Sequence, residues 1–134
     1  MITAFTIDCD RAAFFDITGD VCAAVKNSGV KEGLCVVSVS APTAAVVVTK
    51  NSDSLVRDDI LDDLEMIFPA RASYIDNADP VKTAACSKSA MTGPSLDLII
   101  KGGEPMLGRH QSIYIANYYD RAECEVNVQC IGAH

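Results

Sequence analysis

The sequence predicts an α+β fold: a mixed, mostly antiparallel β-sheet or sandwich packed with about three helices. Three features carry that expectation. β-Branched runs recur along the chain, apolar residues elsewhere repeat at helical spacing, and a segment near the C-terminus alternates apolar and polar residues one by one. With 134 residues, 49% of them hydrophobic, the chain has material for one core and is expected to form a single domain over 1–134.

Taken in order, Ile2 to Ile7 has strand composition, and Ile17 to Ser28 places Val21, Cys22 and Val25 at helical spacing before Gly29 ends the helix. Leu34 to Val39 and Ala44 to Val48 read as two paired strands joined by a short turn at Ser40, Ala41 and Pro42. Three successive valines, Val46 to Val48, imply burial on both faces of the second. Asp53 is a capping residue for a helix whose apolar stripe is Leu55, Val56, Ile60, Leu64 and Ile67. Asp58, Asp59, Asp62 and Asp63 lie mostly off that stripe, and Pro69 stops the helix. Residues 70 to 79 form a loop. Asp79 and Pro80 then give a cap and a first-turn proline for a third helix running toward Met91, closed by Gly93 and Pro94. Strands follow at Ser95 to Ile100, Gln111 to Ala116 and Cys124 to Ile131. In the last, Cys124, Val126, Val128 and Cys130 face inward while Glu125, Asn127 and Gln129 face water.

Charge and composition exclude several partners. Eleven Lys and Arg against 18 Asp and Glu give −7, which opposes a polyanion, and the absence of Trp leaves little aromatic surface for stacking bases. No apolar run approaches the roughly 18 residues that span a bilayer, and the start MITAFTIDCDR lacks a basic segment leading into an apolar one. The expectation is a cytoplasmic protein without a membrane or nucleic-acid partner. Cys9, Cys22, Cys35, Cys86, Cys124 and Cys130 are dispersed with no CxxC pair, so they read as reduced thiols, mostly small core residues. Gly102 and Gly103 lack the rest of a phosphate-loop pattern and read as turn residues.

Several segments in order resemble one family. Gly103 to Gln111, GEPMLGRHQ, followed by SIYI, matches a glycine, a variable stretch, Leu-Gly, two residues and Gln before a strand. Lys88 to Leu96, KSAMTGPSL, matches a Lys-Ser segment ending in Gly-x-Ser. Thr43 to Asp59, TAAVVVTKNSDSLVRDD, matches a strand, a turn of Asn-Glu-Asn type and a helix start. Together these resemble the YjbQ family across nearly the whole chain. The resemblance implies the family's fold, a homotrimer, a site near subunit boundaries that often holds a divalent metal and small anions, and an assigned activity of thiamine-phosphate synthesis from a pyrimidine diphosphate and a thiazole phosphate.

The departures fall on the site. Where the family carries Asn-Ala-His-x-His, this chain has Lys82, Thr83, Ala84, Ala85 and Cys86. Lys50 replaces the acidic residue of the turn, His110 a tryptophan, Asn117 a glutamate, and the segment Tyr74 to Asn77 has no histidine. Only two histidines exist, and His134 is the last residue and is expected to be mobile. A metal set of Cys86, His110 and Asp76 has no standard ligand spacing, so no metal and no other cofactor is expected.

Lys50, Lys88 and Arg109 are candidate phosphate contacts or, equally, solvated surface charges. Gln111 is a candidate ligand contact through its amide or a strand-end contact. Cys86 is a candidate nucleophile or inert packing, and His110 a candidate acid or base or a structural stand-in for an aromatic ring. The functional expectation is a protein that binds a small phosphorylated metabolite, with thiamine-phosphate-synthase-like catalysis if it is an enzyme. The alternatives are a catalytically degenerate binding or assembly protein and, third, a thiol enzyme using Cys86.

Overall fold

A computed structural model of the chain describes residues 2–133; the expectation about His134 lies outside them. Eight strands and three helices follow in the order β1 (Ile2–Cys9), β2 (Ala13–Asp16), α1 (Thr18–Ser28), β3 (Glu32–Val39), β4 (Ala44–Lys50), α2 (Leu55–Ile67), α3 (Pro80–Thr92), β5 (Ser95–Lys101), β6 (Glu104–Pro105), β7 (Gln111–Asn117) and β8 (Ala122–Gly132). This is the expected α+β architecture, with every strand pairing antiparallel.

The strands divide into a five-stranded sheet, β1-β8-β3-β5-β6, and a three-stranded sheet, β2-β7-β4. The division corrects the expectation that β3 and β4 pair: β3 lies between β8 and β5, whereas β4 pairs with β7. Ser40 to Thr43 therefore crosses between sheets instead of turning a hairpin. Two short strands, β2 and β6, had no clear periodicity because they are four and two residues long.

The main core lies between the sheets. Cys35, Val37, Val39, Val126 and Val128 from the larger sheet meet Val46, Ile113 and Ile115 from the smaller one, and α1 adds Val21, Ala24 and Val25. A second cluster covers the other face of the small sheet, where Ala45 and Ala116 pack with Leu64 of α2 and Ala85 of α3. β4 is consequently covered on both faces, as its valine run implied, with Val46 and Val48 in one cluster and Val47 in the other. β8 follows its alternation, with Cys124, Val126 and Val128 buried. The stripe of α2 is only partly used: Leu64 is buried while Leu55 and Ile67 are exposed.

The helix ends follow local chemistry. Gly29 adopts the left-handed conformation after α1, and the Asp79 carboxylate accepts from the Lys82 N–H to cap α3, with Pro80 in its first turn. At α2 the cap position is Ser54, one residue beyond the expected Asp53; the Asp53 carboxylate accepts from the Leu55 N–H at 3.0 Å. Gly102 and Gly103 both have positive φ in the two-residue turn joining β5 to β6, which glycine adopts without a Cβ clash. No helix among the described residues is long and apolar enough to cross a membrane.

Candidate functional site

The predicted site residues separate into two groups at opposite ends of the small sheet. At one end, Lys50 and Gln111 sit directly opposite each other on β4 and β7. The loop leading into β7 is tied to the end of β4, because Asn51 N–H donates to the His110 carbonyl at 3.0 Å. The Asn51 amide also donates to the Gln111 carbonyl and the Ser112 hydroxyl. Arg57 donates to the carbonyls of Lys50 and Asp53, with its guanidinium 4.8 Å from the centroid of Tyr114. Arg109 and His110 contact each other at 3.4 Å in the same loop. Lys50 and Arg57 thus meet here, with Asp53 at 3.9 Å from Lys50 as the acidic neighbour and Arg109 in the adjoining loop.

Gln111 is more constrained than a free amide. Its side-chain oxygen accepts from Gly108 N–H at 2.8 Å while its own N–H donates to the Gly108 carbonyl. That leaves the amide nitrogen as the side-chain donor. These same bonds shape the loop that carries Arg109 and His110.

At the other end, Ser89 hydroxyl donates to the Ala44 carbonyl and fixes the last turns of α3 against the start of β4. Six strand rises of about 3.3 Å separate Ala44 from Lys50, so the two groups stand roughly 20 Å apart. Lys88 is buried here and forms an ion pair of 2.5 Å with Glu65 of α2. It borders a cavity of about 440 Å3 shared with Arg11, Leu61, Asp62, Tyr118 and Tyr119. Cys86 lines an adjoining hollow of about 350 Å3 with Asp76, Asp79, Lys82, Thr83 and Tyr119.

The tyrosines of this end are held by hydrogen bonds. Tyr118 hydroxyl pairs with Thr92 at 3.0 Å, and burial raises its pKa. Tyr119 donates to the Asp79 carboxylate, and that bond pushes the Tyr119 pKa up to about 12 while holding the Asp79 carboxyl below its usual range. Asn117, which the resemblance sets against a glutamate, is fully buried. Its amide donates to the carbonyls of Asp10 and Asp120 and accepts from Tyr119 N–H.

Cys86 and Asp76 come together, but His110 lies at the far end of the sheet. Among the described residues no group of three or more His, Cys, Asp or Glu is placed to hold a metal ion. Within one chain, the described residues do not fit the divalent metal that the family resemblance implies. Tyr118, Tyr119, Arg11 and Glu65 were missed from sequence; the adjacent tyrosines after Asn117 were the available signal.

Comparison with known proteins agrees with this architecture. Residues 3–133 match the family described as UPF0047 protein YjbQ-like. The chain is 33% identical over 125 residues to UPF0047 protein MJ1081 of Methanocaldococcus jannaschii, covering 91% of this chain and 87% of that protein. It is 29% identical to UPF0047 protein YugU of Bacillus subtilis, over 81% of each. A crystal structure of an uncharacterised conserved YjbQ/UPF0047 protein from Clostridium acetobutylicum superposes with a TM-score of 0.90 at 31% identity, covering 96% of this chain and 99% of that one. A protein of unknown function from Sulfolobus solfataricus shares the fold, with a TM-score of 0.91 at 24% identity and coverage of 99% and 97%. With both its sequence and its two-sheet architecture matched from end to end, the chain belongs to the UPF0047 YjbQ-like family.

Proposed function

We propose that the chain binds a small phosphorylated metabolite. The observation that carries this reading is the basic end of the small sheet, where Lys50 and Arg57 meet beside Gln111, Arg109 lies in the adjoining loop and Asp53 is the acidic neighbour, in a chain of net charge −7. Neighbouring cations and an amide donor suit a phosphate. The Lys88 cavity is different in character. There Arg11 and Lys88 are matched by Asp62 and Glu65, and tyrosine and aliphatic walls suit the organic body of a ligand.

Two groups roughly 20 Å apart in one chain are completed by a neighbouring copy in this reading, in keeping with the homotrimer and boundary site that the resemblance implies. If the protein is an enzyme, its reaction is thiamine-phosphate synthesis: the thiazole nitrogen forms a C–N bond as the C–O bond to the diphosphate breaks. Lys50, Arg57 and Arg109 would stabilise the charge on the departing diphosphate. The protein is read as cytoplasmic.

The test is calorimetric titration with thiamine phosphate and with thiamine, beside a synthase assay on the two precursors. Thiamine phosphate is expected to bind, and Lys50→Met to weaken it by about tenfold, or about 1.4 kcal/mol. Equal affinity for thiamine, or no binding of either, overturns the reading. A second reading, a binding or assembly protein without catalysis, is favoured by the lack of a metal-capable side-chain group among the described residues and by Cys86 at a family histidine position. It predicts binding without turnover.

A further inference from the structure

We propose that Cys35 and Cys130 form a reversible cross-strand disulfide when the protein meets hydrogen peroxide. The two residues are direct partners on β3 and β8. The ladder between these strands fixes what kind of partners they are. Ala133 N–H donates to the Glu32 carbonyl and Ser40 N–H to the Glu125 carbonyl, so the even-numbered residues of β3 exchange hydrogen bonds with β8. Odd-numbered β3 residues bond the other way, toward β5, as Val39 N–H does to the Pro94 carbonyl. Cys35 and Cys130 therefore occupy a non-hydrogen-bonded pair, where Cα atoms approach to about 4.5 Å and side chains are closest. That spacing falls within the roughly 4.4–6.8 Å that disulfides span.

Both side chains lie on the inner face. Cys35 is buried and Cys130 is half-buried at the edge of the core. Burial, with Cys130 adding to it, pushes the Cys35 thiol up to about 11, so Cys35 rests as the thiol. Oxidation begins at the more accessible sulfur: Cys130 attacks the peroxide O–O bond, taking one oxygen as sulfenic acid and releasing water. Cys35 sulfur then attacks the Cys130 sulfur, forming S–S and expelling the sulfenic oxygen as a second water. Two thiols lose two electrons and two hydrogens, and one peroxide becomes two waters.

The other thiols are placed differently. Cys9 and Cys124 are diagonal, opposite Ala122 and Ile7, and both are fully buried. Cys22, half-buried on α1, is the rival partner for Cys35.

The experiment treats the intact reduced protein with hydrogen peroxide, blocks remaining thiols, and maps peptides without reduction. The expected product is lighter by two hydrogens, with the Cys35 and Cys130 peptides linked and a raised melting temperature, both reversed by dithiothreitol. Cys130→Ser is expected to abolish the link. Oxygen added to Cys130 with Cys35 still alkylatable after unfolding, a Cys22–Cys35 link, or an unchanged thiol count would overturn the proposal. The wild-type map decides it even if a variant folds poorly.

Discussion

Gly93 and Pro94 present successive backbone carbonyls to different sheets: Gly93 accepts from Val46 N–H at 3.1 Å and Pro94 from Val39 N–H at 2.9 Å. The end of α3 is thereby pinned to β4 of one sheet and β3 of the other. Gly93 achieves this at φ +103, a conformation that a Cβ strains even though the nearest atom would lie 3.7 Å away.

Gly93→Ala is accordingly expected to destabilise the fold by roughly 1–3 kcal/mol, read as a lower urea midpoint. Gly19 is the control, a helical glycine without a positive φ, where an added methyl would meet nothing within 4 Å. Gly19→Ala should stabilise by about 0.5–1 kcal/mol. Equal effects at the two sites would remove strain as the explanation.

Glu65 holds a buried ammonium. Its replacement by Gln leaves Lys88 without its charge partner, and a loss of roughly 1–2 kcal/mol is expected, at the low end for charged hydrogen bonds because the Glu65 side chain is 59% exposed. Lys88→Met removes the charge as well and should stay within about 1 kcal/mol of wild type. Chemical unfolding of both variants gives the comparison; a Lys88→Met protein weaker than Glu65→Gln would contradict it.

The Asp79–Tyr119 bond predicts a pH dependence at both extremes. The folded Asp79 pKa is lowered, so its contribution is present above the unfolded value and fades as pH falls. The folded Tyr119 pKa is raised to about 12, so its contribution is present below the unfolded value and fades as pH climbs toward that point. Tyr119→Phe should flatten the acid-side fall in melting temperature below roughly pH 5, and an unchanged slope would count against the bond.

Zinc and magnesium are expected to leave the melting temperature unchanged, since Cys86 and His110 are at opposite ends of the small sheet. A rise with either ion at micromolar concentration would show a ligand set that the geometry does not provide.

Elements with strong periodicity were legible: the caps at Gly29 and Asp79, the alternation of β8 and the double-sided burial of β4 all follow from local sequence. Strand partnership was not. Pro42 and its neighbours look like a hairpin turn, yet whether β4 folds back on β3 depends on β8 and β7 arriving from the far end of the chain. The candidate site divides the same way. Lys50 and Gln111 were found separately, but their pairing, the spent oxygen of Gln111 and the burial of Lys88 arise from contacts distant in sequence. Asn117 illustrates the converse: the resemblance sets it against a glutamate, yet its amide is consumed by the carbonyls of Asp10 and Asp120 and by the Tyr119 N–H.

The place of β8, between β1 and β3, gives synthesis of the chain an awkward order. While β8 is still being made, β1 has no partner in the sheet and β3 has none along one edge, and those open ladders can recruit the wrong strand or another chain. The larger sheet cannot close progressively: β8, the strand that joins β1 to β3, follows both of them in the chain by more than eighty residues.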